Sequence, residues 1–127
     1  MIFGVGTDIV EIERIEKALK RWGERFAERI LCPSELARFR KHVKPAPYLA
    51  KRFAAKEAFT KALGTGIRAP ANWHGVWVVN LPSGKPVFEY TPALRGLLDG
   101  RKISQSHLTL TDERGLAVAT VILECEK

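Results

Sequence analysis

The fold is decided by residues 52–66, which read RFAAKEAFTKALGTG. Alanines at positions 54, 55, 58 and 62 give this stretch a high intrinsic helix propensity. Gly64 follows where a helix C-terminus favours a residue with positive φ. The pattern therefore predicts a long helix from about Tyr48 to Leu63. Because its apolar side chains do not share one narrow face, we expect other elements to cover it on more than one side.

The charged residues of this helix allow two interpretations. Arg52, Lys56 and Lys61 surround a single acid, Glu57. On an ordinary exposed helix, Glu57 and Lys61 form an i,i+4 ion pair worth only about 0.2–0.5 kcal/mol. Alternatively, one carboxylate among cations, followed by a Gly-Thr-Gly turn with free backbone amides, suits a metal ion and a phosphate group. The stretch alone leaves both interpretations open.

Length and composition predict a small soluble protein. The 127 residues fit one domain, which we expect to span 1–127. The two cysteines form neither a C-x-x-C pair nor a Cys/His cluster, which argues against a zinc site. No apolar run approaches the ~20 residues of a membrane span, and the N-terminus lacks the basic region of a signal peptide. We expect a cytoplasmic protein that has no membrane partner.

The positive charge is concentrated in one half of the chain. Residues 1–70 contain 15 Lys and Arg against 8 Asp and Glu, a net of +7, whereas residues 71–127 contain 6 of each. A basic half-chain indicates an anionic partner, such as nucleic acid, a membrane surface, a phosphorylated ligand or an acidic protein. Charge alone does not choose among these partners.

The N-terminal segment 2–12, IFGVGTDIVEI, predicts a strand that contains an unusual acid. Gly4 and Gly6 mark a bulge or a place where another group approaches the backbone closely. Asp8 interrupts the apolar run, and a carboxylate there has to be hydrogen-bonded, paired or bound to a metal. A local turn or helix cap formed by Thr7 and Asp8 is the alternative.

The next segment predicts an amphipathic helix with a cationic face. Ile12, Ile15, Ala18, Leu19 and Trp22 follow the spacing of one helix face, which we expect to be buried. The opposite face carries the basic residues Arg14, Lys17, Lys20, Arg21 and, past the glycine at 23, Arg25. Such a stripe is either a solvated surface or a docking surface for something acidic.

The rest of the chain predicts further short helices and two hairpins. One or two helices fill 24–42, with Ser34 as a candidate N-cap, and residues 44–47 form a stiff turn. Hairpins are predicted at 74–90 and 107–124, and a short helix starts at Thr91 between them. The fold class is therefore α+β, with an antiparallel sheet packed against a long central helix and shorter helices.

Asp8 and Glu57 are the two acids that stand out as candidates for chemistry. Two carboxylates are too few for a calcium site made by protein alone, but they are typical of Mg²⁺, which keeps water molecules and binds substrate phosphates. His107 begins a strand and is either structural or a partner for a phosphate. The sequence has no P-loop, no G-x-G-x-x-G motif and no convincing nucleophile constellation.

Two blocks of the sequence resemble the signatures of a known family. GTDIVEI at 6–12 and RFAAKEA with KALGTGI, within 52–67, are similar to the signature blocks of the bacterial holo-[acyl-carrier-protein] synthases. These proteins are small 4′-phosphopantetheinyl transferases. The Gly84-Lys85-Pro86 turn, the strand from His107 and the Ala117-Val118-Ala119 return also lie where that family has them. The resemblance covers nearly the whole chain.

The resemblance implies an activity. Members of this family transfer the phosphopantetheine arm of coenzyme A to a serine of apo acyl carrier protein, release adenosine 3′,5′-bisphosphate and support fatty acid biosynthesis. Asp8 and Glu57 match the ligands of Mg²⁺. Glu57 is also our candidate for the general base, directly or through a metal-bound water. Lys61, the second candidate catalytic residue, matches the position near the pyrophosphate.

The resemblance also implies binding sites and an assembly. The expected coenzyme A contacts are Arg52, Lys61, Gly64, Gly66, Lys85, Pro86 and His107. An acidic helix of the carrier protein is expected to dock on the cationic face, at Arg14, Lys17, Arg21 and Arg25. Family members are homotrimers with active sites between subunits. Asp8 and Glu57 are therefore expected to come from one chain, and the Pro86 and His107 regions from its neighbour.

One segment departs from the family pattern, and one alternative function remains. Where the family usually has Val-Ser-Ile-Ser-His after the position of His107, this chain reads LTLTD at 108–112. A role of that second histidine therefore does not transfer to this chain. The alternative function is a non-enzymatic, basic nucleic-acid-binding domain. It lacks interleaved exposed aromatics and a recognition motif, so we expect no nucleic-acid partner.

Overall fold

The computed structural model describes all residues, 1–127. Ten helices and strands follow one another along the chain: β1 Ile2–Glu11, α1 Ile12–Trp22, α2 Glu24–Ile30, α3 Pro33–Lys41, α4 Pro45–Leu63, β2 Val76–Asn80, β3 Pro86–Tyr90, α5 Pro92–Gly100, β4 Ile103–Glu113 and β5 Leu116–Cys125. The predicted α+β content and both predicted hairpins are present. None of the helices has the length and apolar character that crossing a membrane requires.

The strands form two antiparallel sheets. The larger sheet has the order β1-β5-β4, so that the N-terminal strand pairs with the C-terminal strand and β1 and β4 are its edges. The hairpin of β2 and β3 forms a separate two-stranded sheet.

Helix α4 lies on the larger sheet and is the centre of the hydrophobic core. Thirteen of its nineteen residues are buried, which confirms that it is covered on several sides. Small residues on α4 let β1 approach closely: Gly6 packs against Ala58, and Gly4 against Ala62. On another side of the helix, the ring of Phe59 packs on Phe88 of β3. The helix ends as predicted, with Gly64 at φ 88°.

Helix α4 begins three residues earlier than the sequence predicted. It starts at Pro45 rather than near Tyr48, because proline is tolerated in the first turn, where the backbone N–H has no intrahelical partner. The predicted N-cap of α3 was also wrong. Ser34 lies inside the first turn, and Cys32 is the capping residue before Pro33.

Trp22 does not share the buried face of α1. The sequence pattern grouped it with Ile12 and Ile15, which are buried at 8% and 4% exposure, whereas Trp22 is 58% exposed. Helix α1 ends at Trp22, and the chain turns at Gly23 into α2. The guanidinium of Arg21 lies 4.8 Å from the centre of the indole ring. The end of α1 therefore presents an aromatic side chain to solvent among cations.

A buried ion pair joins four segments around α4. The Lys56 Nζ donates 2.7 Å hydrogen bonds to Glu35 Oε1 and to the carbonyl oxygens of Ile30 and Trp73. Both charged side chains are fully buried. The Glu35 carboxylate also accepts hydrogen bonds from the backbone N–H groups of Cys32 and Val78. The sequence analysis grouped Lys56 with Glu57. This prediction was wrong, because Lys56 pairs with Glu35.

One face of the larger sheet carries no other element of the chain. On β1 the exposed side chains of this face include Val5 and Ile9, at 59% and 63% exposure. In the next row Thr7, Thr120 and Thr109 lie side by side across the three strands. An uncovered face with large apolar side chains is typical of a surface that contacts another protein chain.

Candidate active site

Asp8 lies on β1 and points towards α4. Its Oδ1 accepts a 3.1 Å hydrogen bond from Lys61 Nζ, which also donates to the carbonyl oxygen of Thr7. The other carboxylate oxygen, Oδ2, is buried and has no hydrogen-bond partner. Asp8 is therefore neither a helix cap nor part of a turn. The i,i+4 interpretation paired Lys61 with Glu57. In the structure Lys61 forms its ion pair with Asp8 instead.

Glu57 faces the same cleft from α4 and is half-buried. Burial raises the pKa of its carboxyl group, and the neighbouring charge of Asp8 raises this pKa further, while Lys61 acts in the opposite direction. The contact of β1 with α4 thus brings the carboxylates of Asp8 and Glu57 close to Lys61. A carboxylate with a raised pKa is a better proton acceptor than an ordinary one.

The residues at this position fit a hard divalent cation. The unpartnered Oδ2 of Asp8 and the neighbouring Glu57 offer oxygen ligands and concentrated negative charge. No group of three or more His, Cys, Asp or Glu residues is placed to hold a metal. A cation held here would have to complete its shell with water or with oxygens of a ligand, as Mg²⁺ commonly does.

A cleft of 430 Å³ opens beside the two carboxylates. Most of its wall is apolar and comes from β1, α1, α2 and α4, and Arg14 is its one basic residue. The lining residues are Asp8, Ile9, Val10, Arg14, Ile15, Ala18, Phe26, Phe53 and Glu57. Arg14 therefore connects the cationic face of α1 to the candidate site.

Arg52 points away from Asp8 and Glu57. It is only 4% exposed, and its Nη2 donates a 2.9 Å hydrogen bond to Asn80 Oδ1 at the end of β2. Its guanidinium carbon lies 4.5 Å from the centre of the Tyr48 ring. The Nε is buried without a hydrogen-bond partner. The prediction that Arg52 lies beside Glu57 was wrong. With 3.6 residues per turn, an α-helix directs side chains that are five positions apart to different sides.

Asn80 links Arg52 to the tip of the β2–β3 hairpin. Its Nδ2 donates a 3.0 Å hydrogen bond to the carbonyl oxygen of Gly84, next to Lys85 and Pro86. The predicted coenzyme A contacts Arg52, Lys85 and Pro86 thus belong to one cluster within the chain. Sequence reasoning missed Asn80, although an amide residue two positions before the predicted turn at 82–84 is a signal for such a bond.

His107 lies on β4, away from both of these clusters. Its Nε2 is 2.5 Å from Oε1 of Glu124 on β5, and both side chains are partly exposed. His107 pairs with Ile122 across the strands, in a row that continues to Val5 on β1. It therefore belongs to the uncovered face of the sheet.

The glycine turn after α4 offers fewer free amides than the sequence suggested. The backbone N–H groups of Gly64 and Thr65 both donate to the carbonyl oxygen of Thr60. These amides are used because the last carbonyls of a helix need donors. The N–H of Gly66 makes no backbone hydrogen bond and stays available for a ligand.

The cationic face of α1 is exposed as predicted. Arg14, Lys17, Arg21 and Arg25 all lie at the surface, and Lys17 forms an exposed ion pair with Glu13. Beyond α1, the cations continue along α2. A surface depression there is lined by Arg21, Trp22, Arg25, Phe26 and Arg29. This surface combines positive charge with exposed aromatic area, which is typical of binding hot spots.

Comparison with known proteins gives a consistent result along the chain. The model of the 4′-phosphopantetheinyl transferase superfamily matches residues 4–121. The holo-[acyl-carrier-protein] synthase of Azoarcus sp. (strain BH72) is 53% identical over 124 residues, which cover 98% of each protein.

Solved structures agree with this. The crystal structure of holo-[acyl-carrier-protein] synthase from Neisseria meningitidis has a TM-score of 0.94 and 48% identity, covering 98% of this chain and 99% of that one. The Bacillus anthracis protein, in complex with CoA (3′,5′-ADP), has a TM-score of 0.84 and 35% identity, covering 99% of both chains. The predicted family and fold class are confirmed: the chain belongs to the 4′-phosphopantetheinyl transferase superfamily.

Proposed function

We propose that this protein is a holo-[acyl-carrier-protein] synthase. It transfers 4′-phosphopantetheine from coenzyme A to a serine of apo acyl carrier protein, with Mg²⁺, and releases adenosine 3′,5′-bisphosphate. The observation that carries the proposal is the meeting of Asp8 and Glu57 at one cleft, with Lys61 hydrogen-bonded to Asp8. Relatives that carry this enzyme name, and a relative bound to coenzyme A, support the choice of substrates. The role belongs to cytoplasmic fatty acid biosynthesis.

Asp8 and Glu57 hold the metal in this proposal. The buried Oδ2 of Asp8 has no partner within the chain, so a cation there would satisfy an oxygen that is otherwise costly to bury. When bound, Mg²⁺ would offset negative charge on the diphosphate and on the leaving phosphate. Lys61 would exchange part of its contact with Asp8 for a phosphate oxygen of coenzyme A.

Glu57 is the proposed base. The serine oxygen of the carrier forms a bond to the phosphorus that bears the pantetheine arm, and the bond from that phosphorus to the bridging oxygen breaks. The serine proton passes to Glu57 directly or through a water molecule. Without a bound cation, burial and Asp8 raise the pKa of Glu57. Lys61 remains cationic beside the phosphates and stabilises the charge that develops there.

The carrier protein docks on the exposed face of α1 and α2. Arg14, Lys17, Arg21 and Arg25 would contact acidic side chains of the carrier, and Trp22 would add an apolar contact at the centre. Arg14 lies at the cleft itself, so a carrier on this surface would bring its serine next to Glu57. Electrostatic complementarity of this kind speeds encounter and fixes orientation.

The uncovered sheet face supports a homotrimer. Its threonine row and its exposed Val5 and Ile9 are suited to contact other copies of the chain. His107 lies on this face, separate from Asp8 and Glu57, so it would reach coenzyme A only at a neighbouring subunit. Gly66, Lys85 and Pro86 complete the proposed coenzyme A site, with Gly64 shaping the turn rather than donating its amide.

The experiment is a mass measurement on the carrier protein. Apo carrier is incubated with this protein, coenzyme A and Mg²⁺, and a mass gain of one phosphopantetheine is the expected result. Asp8→Ala and Glu57→Ala should each abolish the gain. An unchanged carrier mass with the wild-type protein would refute the transferase assignment, and full activity in either variant would remove that residue from the metal site.

A further inference from the structure

Lys61 already supplies a positive charge to the carboxylates that are candidates for holding a metal. Its Nζ donates 3.1 Å hydrogen bonds to Asp8 Oδ1 and to the carbonyl oxygen of Thr7. Burial and Asp8 raise the pKa of Glu57 and Lys61 lowers it, so the charge of Lys61 acts on both carboxylates. The chain itself therefore neutralises one of the two negative charges at the cleft.

The same lysine limits access to Asp8. The Oδ2 atom is shielded from water, and only 16% of the side chain is exposed. The other oxygen, Oδ1, carries the ammonium group of Lys61 in an exposed contact. Because Mg²⁺ keeps most of its water molecules, it binds first to an oxygen that water also reaches. A hydrated cation that approaches Asp8 therefore competes with Lys61 for the same carboxylate.

Lys61 can leave Asp8 at little cost. Its side chain is 53% exposed, and both of its hydrogen bonds lie at the surface, where water can replace the ammonium group. Exposed ion pairs of this kind contribute little to stability. Lys56, on the same helix, is the opposite case, since it is fully buried and its charge is paired with Glu35. Lys61 is thus a cation that a ligand can displace.

A diphosphate is a ligand that would make this displacement favourable. Its anionic oxygens offer the ammonium group of Lys61 a new partner, and they also offer oxygen ligands to Mg²⁺. Mg²⁺ alone offers Lys61 no partner and repels it, because like charges at contact distance repel each other. The metal ion and the diphosphate therefore favour each other's binding more than their direct contact alone would give.

We propose that Lys61 is an internal competitor of Mg²⁺, which neutralises Asp8 until the diphosphate of coenzyme A attracts its ammonium group, so that Mg²⁺ binds tightly only together with coenzyme A. The inference rests on the proposed transferase function and concerns the regulation of the same site. By linkage, each of the two ligands raises the affinity for the other by the same factor. Lys61 thus suppresses metal binding by the carboxylates when no substrate is bound.

The test is calorimetric titration of Mg²⁺ into the full-length protein, with and without saturating coenzyme A and with no carrier present. A blank titration of Mg²⁺ into coenzyme A is subtracted. In the wild type, coenzyme A should lower the Kd for Mg²⁺ at least about 10-fold. Lys61→Met removes the charge but keeps a long side chain, and without coenzyme A it should bind Mg²⁺ about 10-fold more tightly than the wild type.

The sign of the change in Lys61→Met separates competition from support. A lysine that merely holds Asp8 in place would make metal binding weaker when it is removed. Weaker or unchanged Mg²⁺ binding in Lys61→Met would therefore overturn the proposal. Lys61→Arg keeps the positive charge and should bind Mg²⁺ alone as weakly as the wild type. Binding as tight as in Lys61→Met would show an effect of packing rather than charge and would also overturn it.

Lys51→Met is the matched control, since it removes the same charge from the same helix. Lys51 forms a partly exposed pair with Asp112 at 3.5 Å, and its loss should change the Kd for Mg²⁺ by less than about 2-fold. Equal tightening in Lys51→Met would reduce the effect to net charge and overturn the proposal. The double variant Asp8→Asn/Lys61→Met should lose the tight binding. Tight binding that persists there would place the metal away from Asp8.

Failure of this inference is distinguishable from failure of the proposed function. A wild-type protein that modifies the carrier, but whose Kd for Mg²⁺ is the same with and without coenzyme A, would overturn the coupling and leave the transferase assignment intact. A wild-type protein that neither binds coenzyme A nor modifies the carrier would overturn the proposed function. The titrations of Mg²⁺ alone into wild type and Lys61→Met would still decide whether Lys61 competes for Asp8.

Discussion

A Cβ atom on Gly6 would lie 2.0 Å from the carbonyl oxygen of Ala58. The backbones of β1 and α4 are therefore in direct contact, and Gly4 makes the same kind of contact with Ala62. Asp8 lies two residues after Gly6 on the same side of the strand, and Glu57 directly precedes Ala58. The close approach of strand and helix thus sets the distance between the two carboxylates.

Gly6→Ala should destabilise the protein and separate these carboxylates. The added methyl group meets backbone atoms, which cannot rotate away, so we expect a loss of about 3 kcal/mol in the free energy of unfolding. Urea unfolding measures this loss, and the metal-dependent transfer activity should fall with it. Gly96→Ala is the control, because a Cβ there meets nothing within 4 Å and helix propensity improves. Equal stability of Gly6→Ala and wild type would contradict the interpretation.

The sequence predicted the elements and the two acids because both depend on local pattern. Glycines in an apolar strand indicated a close approach, and an unexplained acid in the same strand indicated a site. The hydrogen-bond partners of Arg52 and Lys56 could not be predicted from local pattern. Their partners, Asn80 and Glu35, lie 28 and 21 residues away, and only tertiary packing brings them together.

Local pattern also could not predict that Trp22 is exposed. Helical periodicity identifies a face, but it does not say how far along the helix that face is covered. In the structure α1 ends at this residue, and the chain continues into α2. The open sheet face was not predicted from the strand pattern, because apolar alternation does not distinguish a face in the core from a face that contacts another subunit.

Mg²⁺ should stabilise the folded protein through Asp8. A ligand that binds only the folded state adds about 2.7 kcal/mol at one hundred times its Kd. We expect the Tm of the wild-type protein to rise with Mg²⁺ concentration and that of Asp8→Asn to stay constant. Glu124→Gln serves as the control, since it removes a carboxylate outside the cleft. A Tm of Asp8→Asn that rises as in wild type would place the metal elsewhere.

Glu57 should make stability depend on pH in the absence of metal. Its pKa is raised in the folded state by burial and by Asp8, so the folded protein holds this proton more tightly than the unfolded chain. Its contribution favours folding below the ordinary carboxyl pKa and is lost as pH rises through the raised value. With a chelator present, the free energy of unfolding of Glu57→Gln should equal that of the wild type at about pH 4 and exceed it at about pH 7. Parallel stability curves would contradict the raised pKa.

The buried pair of Lys56 and Glu35 should be needed for stability rather than for chemistry. Lys56→Ala leaves the Glu35 carboxylate buried and unpaired, and we expect a loss of about 3–5 kcal/mol in urea unfolding. The double variant Lys56→Met/Glu35→Leu should recover only part of this loss, because it leaves no isolated charge but removes the partners of four backbone groups. Lys51→Met, which breaks the partly exposed pair with Asp112, should cost less than about 1 kcal/mol. A double variant that is less stable than Lys56→Ala would contradict this account.

Charge reversal on α1 should weaken carrier binding selectively. Arg14→Glu/Arg21→Glu replaces attraction by repulsion towards an acidic partner, and two such contacts together are worth about 1.4 kcal/mol, or a 10-fold rise in the KM for the carrier. The KM for coenzyme A should rise less than the KM for the carrier, because only Arg14 lines the cleft, whereas Arg21 lies outside it. Lys41→Glu reverses one charge on α3, outside the cationic face, and should leave both constants unchanged. Raised salt should weaken carrier use by the wild type more than by the variant, since the variant has lost two of the attractive charges that salt screens. A carrier KM that does not change in Arg14→Glu/Arg21→Glu would exclude this face as the docking surface.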